Sequence, residues 1–454
     1  MAPHRRCLLQ QLPADVLLHV LSFLPPADKL AVRACCHHFR RLADSRHLWR
    51  GHTARLRFGR GRRRYDAHFW AGLARRGVCS AVVQVQDQGA TKTHWKQLAA
   101  ALPSLSALAV DGGIRDCEDH LDRFPNLSCL VLRGSPPRGR GRAPKDPIGA
   151  LRVADPERVT RIGLCDVSFR AHADLPAFLA RFANLTCFSY HPSGPDPRGR
   201  VVEGDAFGLV VAGLPKLRHL SWAVRPFFKY ASVAGPRADP GETVNRTLTS
   251  LELLVYNDFG LAYDAMRPLT RLRSLAVVYM DAAAHTHQGG RLNTWLDHAP
   301  HLSTLMVHGG PAPRDYARSI PPTVRSLTVR TGRLTAADLA AVGAQVPGLV
   351  HLEVDAWPPA AGPVAARFFP ALQSVHLRIW QVPEEDQDFL DLGRFQSLRR
   401  VEVEVADAEE PPRLSELRGR LQTLTGDRVR VLAAPRPRRD PMACHHQQVH
   451  QSQD

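Results

Sequence analysis

The phrase L-x-x-L-x-L, often entered through a proline, recurs along most of this chain and constrains its fold more than any other feature. It stands as LSALAV from Leu105, LSCLVL from Leu127, VTRIGL from Val159, LTCFSY from Leu185, LRHLSW from Leu217, LELLVY from Leu251 and LRSLAV from Leu272. It continues as LSTLMV from Leu302, VRSLTV from Val324, LVHLEV from Leu349, LQSVHL from Leu372 and LRRVEV from Leu398. SAVVQV, with Val83 and Val85, reads as a degenerate opening unit, and the residues around Val429 as a closing strand. Each phrase is a short strand with one apolar face. A single unit buries too few side chains to offset the entropy of ordering its residues, so the units must stack and share a core.

The phrases start about 21 to about 34 residues apart, which overlaps the ~20–29 residues of a leucine-rich repeat. HWKQLAAALP at 94–103, HADLPAFLARFAN at 172–184 and TAADLAAVGAQVP at 335–347 supply helix-compatible stretches between strands, with Asp or Thr near their starts as caps. The expected fold is therefore an α/β repeat: a curved leucine-rich-repeat solenoid with a parallel concave sheet and convex helices. The Asn or Cys that ordinarily follows the repeat strand is mostly missing, which implies an irregular array.

Strand alternation predicts the ligand face. With the leucines inward, the interleaved residues point out onto the concave sheet. Early units offer small side chains there (Ala107, Ala109, Cys129, Val131, Cys187, Ser189), and the middle an apolar strip of Leu253, Val255, Val278 and Met306. The late units turn ionic, with His351, Glu353, Asp355, His376, Arg378, Arg400, Glu402 and Glu404. From these, Leu253, Val255, Glu353, Asp355, His376, Arg378, Glu402 and Glu404 are the candidate target-binding residues. The acids, with EEDQD at 384–388 and DAEE at 407–410, read as a dock for a basic segment. An ordinary solvated face would also be polar at these positions.

Ahead of the array, LPADVLLHVLSFLPPADKLAVRACCHHFRRLADSRHLWR at 12–50 is apolar and helix-periodic. Pro13 suits a first helical position, and Leu12, Val16, Val20 and Leu24 recur every four residues as one stripe that Leu17 and Leu21 widen. Pro25-Pro26 stops this helix and starts another. So short a segment cannot bury that surface alone. Its ordered landmarks are Leu12-Pro13, Asp15, the apolar positions just named, Asp28, Leu30, Cys36, Phe39 and Leu48-Trp49, and in these it resembles the F-box. Phe39 stands where Trp is more usual, and Lys29 where Leu is common. The resemblance implies a three-helix module that docks on a Skp-type adaptor and tethers the chain to a cullin ubiquitin ligase. The adaptor-binding residues it implies are Leu12, Pro13, Val16, Leu17, Val20, Leu21, Leu24, Leu30 and Trp49. The domain plan is then an F-box at 8–50, a basic linker at 51–77, the solenoid at 78–432 and a basic, polar, disordered tail at 433–454.

Other classes find less support. A hydrophobic content of 44% suits a folded chain, and no apolar run approaches the ~20 residues of a membrane span. The N-terminus has no apolar core or cleavage site of a secretory signal, and the nine cysteines show no paired C-x-x-C spacing. Reduced thiols in the cytoplasm, the nucleus or both are expected. There is no phosphate loop, no H-E-x-x-H and no G-x-S-x-G, so no enzyme, cofactor or metal is expected; His285, His287 and CHHQQVH at 444–450 match no zinc spacing. The net charge of +17 and pI near 10.1 raise the alternative of a non-ligase leucine-rich-repeat scaffold or a nucleic-acid-associated nuclear protein. Its arginine clusters, RFGRGRRRY at 57–65, PPRGRGRAPKDP at 136–147 and PRPRRD at 435–440, are dispersed around the array, with few aromatics interleaved, Tyr65 among them. Nucleic acid is not the expected partner.

Overall fold

A computed structural model describes residues 12–59, 65–86, 92–112, 114–134, 148–167, 174–192, 206–225, 245–256, 261–280, 291–331, 334–359, 361–379, 386–405, 412–433, 440, 442 and 443. The arginine-rich runs at 60–64, 136–147 and 435–439, the acids at 384–385 and 407–410, His285, His287 and the segment 444–450 lie outside them. Two compact units divide the chain. One holds residues 1–170 together with 192–194 and 440–448, and the other nearly all the rest.

The first unit begins with helices α1 (Ala14–Ser22), α2 (Pro26–Cys35), α3 (His37–Ala43) and the short α4 (Arg46–Trp49). Pro26 opens α2 at its first turn, where a missing N–H costs nothing. The Cys36 side chain caps α3 by accepting the Phe39 N–H. Parallel strands follow in sequence order: β1 (Thr53–Phe58), β2 (Ser80–Val85), β3 (Ala107–Asp111), β4 (Cys129–Arg133) and β5 (Arg161–Cys165). Between β1 and β2 lies helix α5 (Ala67–Arg76), capped by Asp66 and ended by Gly77 in the left-handed region at φ 64°. The sheet thus starts inside the segment read as a linker, because TARLRF alternates well enough to pair with SAVVQV.

The second unit carries β6 (Cys187–His191), β7 (His219–Val224), β8 (Ser250–Val255), β9 (Ser274–Tyr279), β10 (Thr304–His308), β11 (Ser326–Arg330), β12 (His351–Val354), β13 (Ser374–Ile379), β14 (Arg400–Val405) and β15 (Arg430–Ala433). All pair in parallel with their sequence neighbours. Helices or short helical turns connect most of them. The expected parallel repeat sheet is thus present, beginning one strand earlier than the phrase count implied.

In most of the described repeats one carbonyl fixes the stacking. The N–H groups of Ser128 and Cys129 both donate to the Ser106 carbonyl, those of Thr160 and Arg161 to Ser128, and those of Ser326 and Arg325 to Ser303. The same pair of donors recurs through Arg399 and Arg400 onto Gln373. Hydroxyls reinforce it: Ser128 Oγ and Ser303 Oγ donate to the Ser106 and Arg273 carbonyls at 3.2 and 3.1 Å. This ladder satisfies strand-entry backbone without the missing asparagines. Inward side chains fill the space beneath, with Trp95, Trp222 and Trp295 fully buried.

Candidate functional site

The N-terminal helices sort the predicted adaptor residues into two sets. Leu17 and Leu21 of α1, with Leu48 and Trp49 of α4, are buried and build the module's own core. Trp49 Nε1 donates to the Ala43 carbonyl at 2.6 Å, and the Arg76 guanidinium lies over its ring at 4.7 Å. Leu17, Leu21 and Trp49 are thus packed into the module's own core, whereas the sequence reading assigned them to the adaptor: the stripe is wide enough to serve two faces. The other face stays open. Val16 and Val20 are 43% and 50% exposed, Leu12 and Leu30 are exposed, Pro13 is exposed beside them, and Leu24 is half-buried. Phe23, 71% exposed, was absent from the predicted set, although its position three residues after Val20 places it on the same helical face.

Two charged groups hold this module in shape. Lys29 is 2% exposed, and its ammonium donates to the Leu48 carbonyl and to His52 Nε2 at 3.3 and 3.0 Å. The lysine in place of leucine is thus bonded into the core rather than presented on the surface. Asp44, at the end of α3, is bound by Arg33 at 2.9 Å, Arg76 at 3.0 Å and Arg75 at 3.5 Å. Burial alone would raise its pKa, but the hydrogen bonds and charges of Arg33 and Arg76 outweigh that and hold the carboxyl below the ordinary aspartate range. The Asp44 cluster ties α2 and α3 to α5.

In the second unit, strand register lines up the late ionic residues on the sheet face opposite the leucines. Thr328, Glu353, His376 and Glu402 stand in one row across β11 to β14. Thr328 Oγ1 and Arg330 Nη2 donate to Glu353 at 3.2 and 2.5 Å. His376 lies between two carboxylates, 4.0 Å from Glu353 and 3.8 Å from Glu404. Arg378 reaches Glu404 at 3.4 Å and Asp355 at 3.9 Å, and Arg400 pairs with Glu402. A cleft of about 350 Å³ opens on this mosaic, lined by Thr328, His351, Glu353, Ser374, His376 and Arg400 among others. Among the described residues, Glu353, Asp355, Glu402 and Glu404 are each matched by an arginine. Asp386, in the acidic run after β13, is likewise clamped by Arg413 and Arg420.

Leu253 and Val255 lie elsewhere. Both are buried on the core side, in register with Trp222 and Val224, and the open face of β8 carries Glu252 and Leu254 instead. Leu254 packs there with Ala223 and Val278, beside Tyr256, Met280 and Met306. The middle apolar strip exists, but the two residues assigned to it from β8 were one position out of phase. A disulfide at Cys165 departs from the expectation of reduced thiols, whereas Cys35, Cys36, Cys79, Cys117, Cys129 and Cys187 are free. Among the described residues no cluster of metal ligands occurs, and no helix is long and apolar enough to cross a membrane.

Comparison with known proteins bears on the N-terminal module. A family model described as F-box-like matches residues 9–55. F-box/LRR-repeat protein 12 of Bos taurus is 46% identical over 39 residues, 9% of this chain and 12% of that protein. Its counterpart in Homo sapiens is 45% identical over 42 residues, 9% of this chain and 13% of that protein. The matched stretch thus spans 12–13% of these relatives' length. Two solved structures are also similar. One is described as a TLR13–ssRNA13 complex (13% identity, TM-score 0.40, covering 73% of this chain and 54% of that one). The other is a complex of Rad7 and Elc1 in yeast (15% identity, TM-score 0.37, covering 88% and 89%).

Proposed function

We propose that this chain, an F-box and leucine-rich-repeat protein, is the substrate-recognition subunit of an SCF-type E3 ubiquitin ligase. The observation that carries the reading is the open apolar face of the F-box. Leu12, Val16, Val20, Phe23 and Leu30 remain exposed while Leu17, Leu21 and Trp49 complete the core, so the module folds and still presents a surface that needs a partner. Leu12, Pro13, Val16, Val20, Leu24, Leu30 and Phe23 bind a Skp-type adaptor, which brings the cullin scaffold. The open sheet face of the repeats binds a protein target. The chain contributes no catalytic residue of its own: holding the target near a separately recruited conjugating enzyme raises effective concentration. It works in the cytoplasm, the nucleus or both.

The direct test is co-elution of the full chain with a Skp-type adaptor, compared with a chain lacking residues 1–50. A 1:1 complex resistant to high salt is expected for the first only. Complexes that instead dissolve on nuclease treatment would favour the nucleic-acid-associated scaffold.

The mosaic on β12 to β14 is the proposed target surface, through Glu353, Asp355, His376, Arg378, Glu402 and Glu404. Reversing Glu353, Asp355, Glu402 and Glu404 together breaks the pairs with Arg330, Arg378 and Arg400. Target capture, read by proximity labelling with the proteasome blocked, is expected to fall about tenfold or more while adaptor binding is unchanged. An unaltered interactome would return these charges to the role of a solvated face.

A further inference from the structure

The open face of the first unit is occupied by Asp440, Met442 and Ala443, from a segment that follows the repeats. Strand register gives that face a middle row of Val82, Ala109, Val131 and Gly163 across β2 to β5. The row before it ends on Arg161, and the row after it carries Arg133. The middle row is low because two of its four positions are alanine and glycine, and Gly163 lies so close to Val131 that a Cβ there would stand 3.1 Å from a valine methyl. Met442, 7% exposed, is packed on this floor against Val82, Ala109 and Val131, with Ala107 and Cys129 at its margin.

The polar contacts around Met442 are specific. Asp440 pairs with Arg161 at 3.2 Å. Arg133 donates to the Ala443 carbonyl at 2.5 Å, and its own position is set by Asp111 at 2.8 Å. Within the segment, Asp440 Oδ1 accepts the Met442 N–H and the Asp440 carbonyl accepts the Ala443 N–H, each at 2.9 Å. The result is a compact turn with one acid, one unbranched apolar side chain and one small residue, each met by a matching group. An unbranched thioether suits a shallow floor of small residues, since it can adopt the conformation the floor leaves open. Arg133 is already paired with Asp111 on the neighbouring strand, so the receptor side loses little freedom when the segment binds.

We propose that this face is a docking surface for a short segment of a protein target in which an aspartate stands two residues before an unbranched apolar residue followed by a small one. Asp440, Met442 and Ala443 occupy it as a competitor carried by the chain itself. The proposal rests on the receptor reading above for the role of the bound target. An attached competitor acts at the high effective concentration of an intramolecular partner, so only targets that outbid it are captured. The early repeats are thereby a gated surface, separate in chemistry from the ionic mosaic of the late ones.

The test uses a fluorescein-labelled peptide with the sequence of residues 438–446 and the full chain in reducing buffer, so that the disulfide at Cys165 takes no part. The full chain is compared with an opened form carrying Asp440→Ala and Met442→Ala, whose fold is checked by circular dichroism. Anisotropy should show the peptide binding the opened form about tenfold or more tightly than the intact chain. Peptide Met442→Asp should lose about tenfold or more, because it places a charge on an apolar floor. Arg161→Glu in the opened chain should weaken the unmodified peptide by about twofold to fivefold, and an Asp440→Lys peptide should restore it. Equal affinity for the intact and opened chains, no binding to the opened chain, or indifference to both substitutions would overturn the proposal. Adaptor capture by the same opened chain reports separately: its failure alongside intact peptide binding would remove the ligase reading and leave the docking surface standing.

Discussion

A full chain carrying Val16→Asp and Val20→Asp is expected to lose adaptor capture by about 100-fold or more while its repeats stay folded. Both side chains lie on the open face of α1, one helical turn apart and exposed, so the free module tolerates the charges. In the complex, each carboxylate would have to be stripped of water against an apolar partner surface, which costs several kcal/mol per unpaired charge. Leu17→Asp is the contrasting control. It introduces a charge inside the core and should unfold the module, seen as lost amide protection from 14 to 49. Retained adaptor binding by a soluble Val16→Asp, Val20→Asp chain would sink the proposed interface.

The second large effect is expected at Asp44. Its side chain is nearly buried and draws Arg33, Arg75 and Arg76 together from two helices. Asp44→Ala should cost about 2–4 kcal/mol, toward the lower part of the range for a broken buried pair because Arg33 and Arg75 also reach water. Hydrogen exchange should accelerate in α3 and α5 and leave β6 to β15 untouched. The pH dependence has a definite sign. The folded carboxyl titrates below its ordinary value of 3.8, so its contribution is complete above that value and is lost as the pH falls through the lowered one. The stability gap between the native chain and Asp44→Asn should be flat from pH 7 to about 5 and close only below about 4. A gap that narrows between pH 7 and 5 would show that the arginines do not hold Asp44 ionised.

Most of the repeat fold was legible because alternation is a property of consecutive residues, and twelve phrases set its phase independently. The phase error at β8 shows what a phrase match lacks. LELLVY from Leu251 fits L-x-x-L-x-L, but so does LTSLEL from Leu248, and only the second places Leu251 and Leu253 inward together. A local signal was available: many units carry Ser or Thr right after the first leucine, as in LSAL, LSCL, LTCF and LSTL, and LTSL follows that rule. Those hydroxyls bond to the preceding repeat, which is why they recur. The division of α1 was harder to read. A stripe of six apolar residues does not say which half faces inward, since that depends on where α4 returns to pack. Nor could composition foresee that the late acids would be matched by arginines on neighbouring strands, or that Met442, 311 positions beyond Val131 in the chain, would rest on it. Those contacts depend on tertiary register, which no local pattern encodes.

The shared carbonyl at most strand entries has a consequence for how such a chain can change over time. Because most of the described repeats are indexed afresh by a single acceptor on the one before, residues added between such strands do not accumulate as a phase error downstream. Thr249 meets Arg218 across 31 residues and Ser128 meets Ser106 across 22, with the same backbone and hydroxyl bonds in both. The array therefore tolerates expansion at many separate points, and new recognition loops can be tried one at a time without re-aiming the side chains of any other repeat.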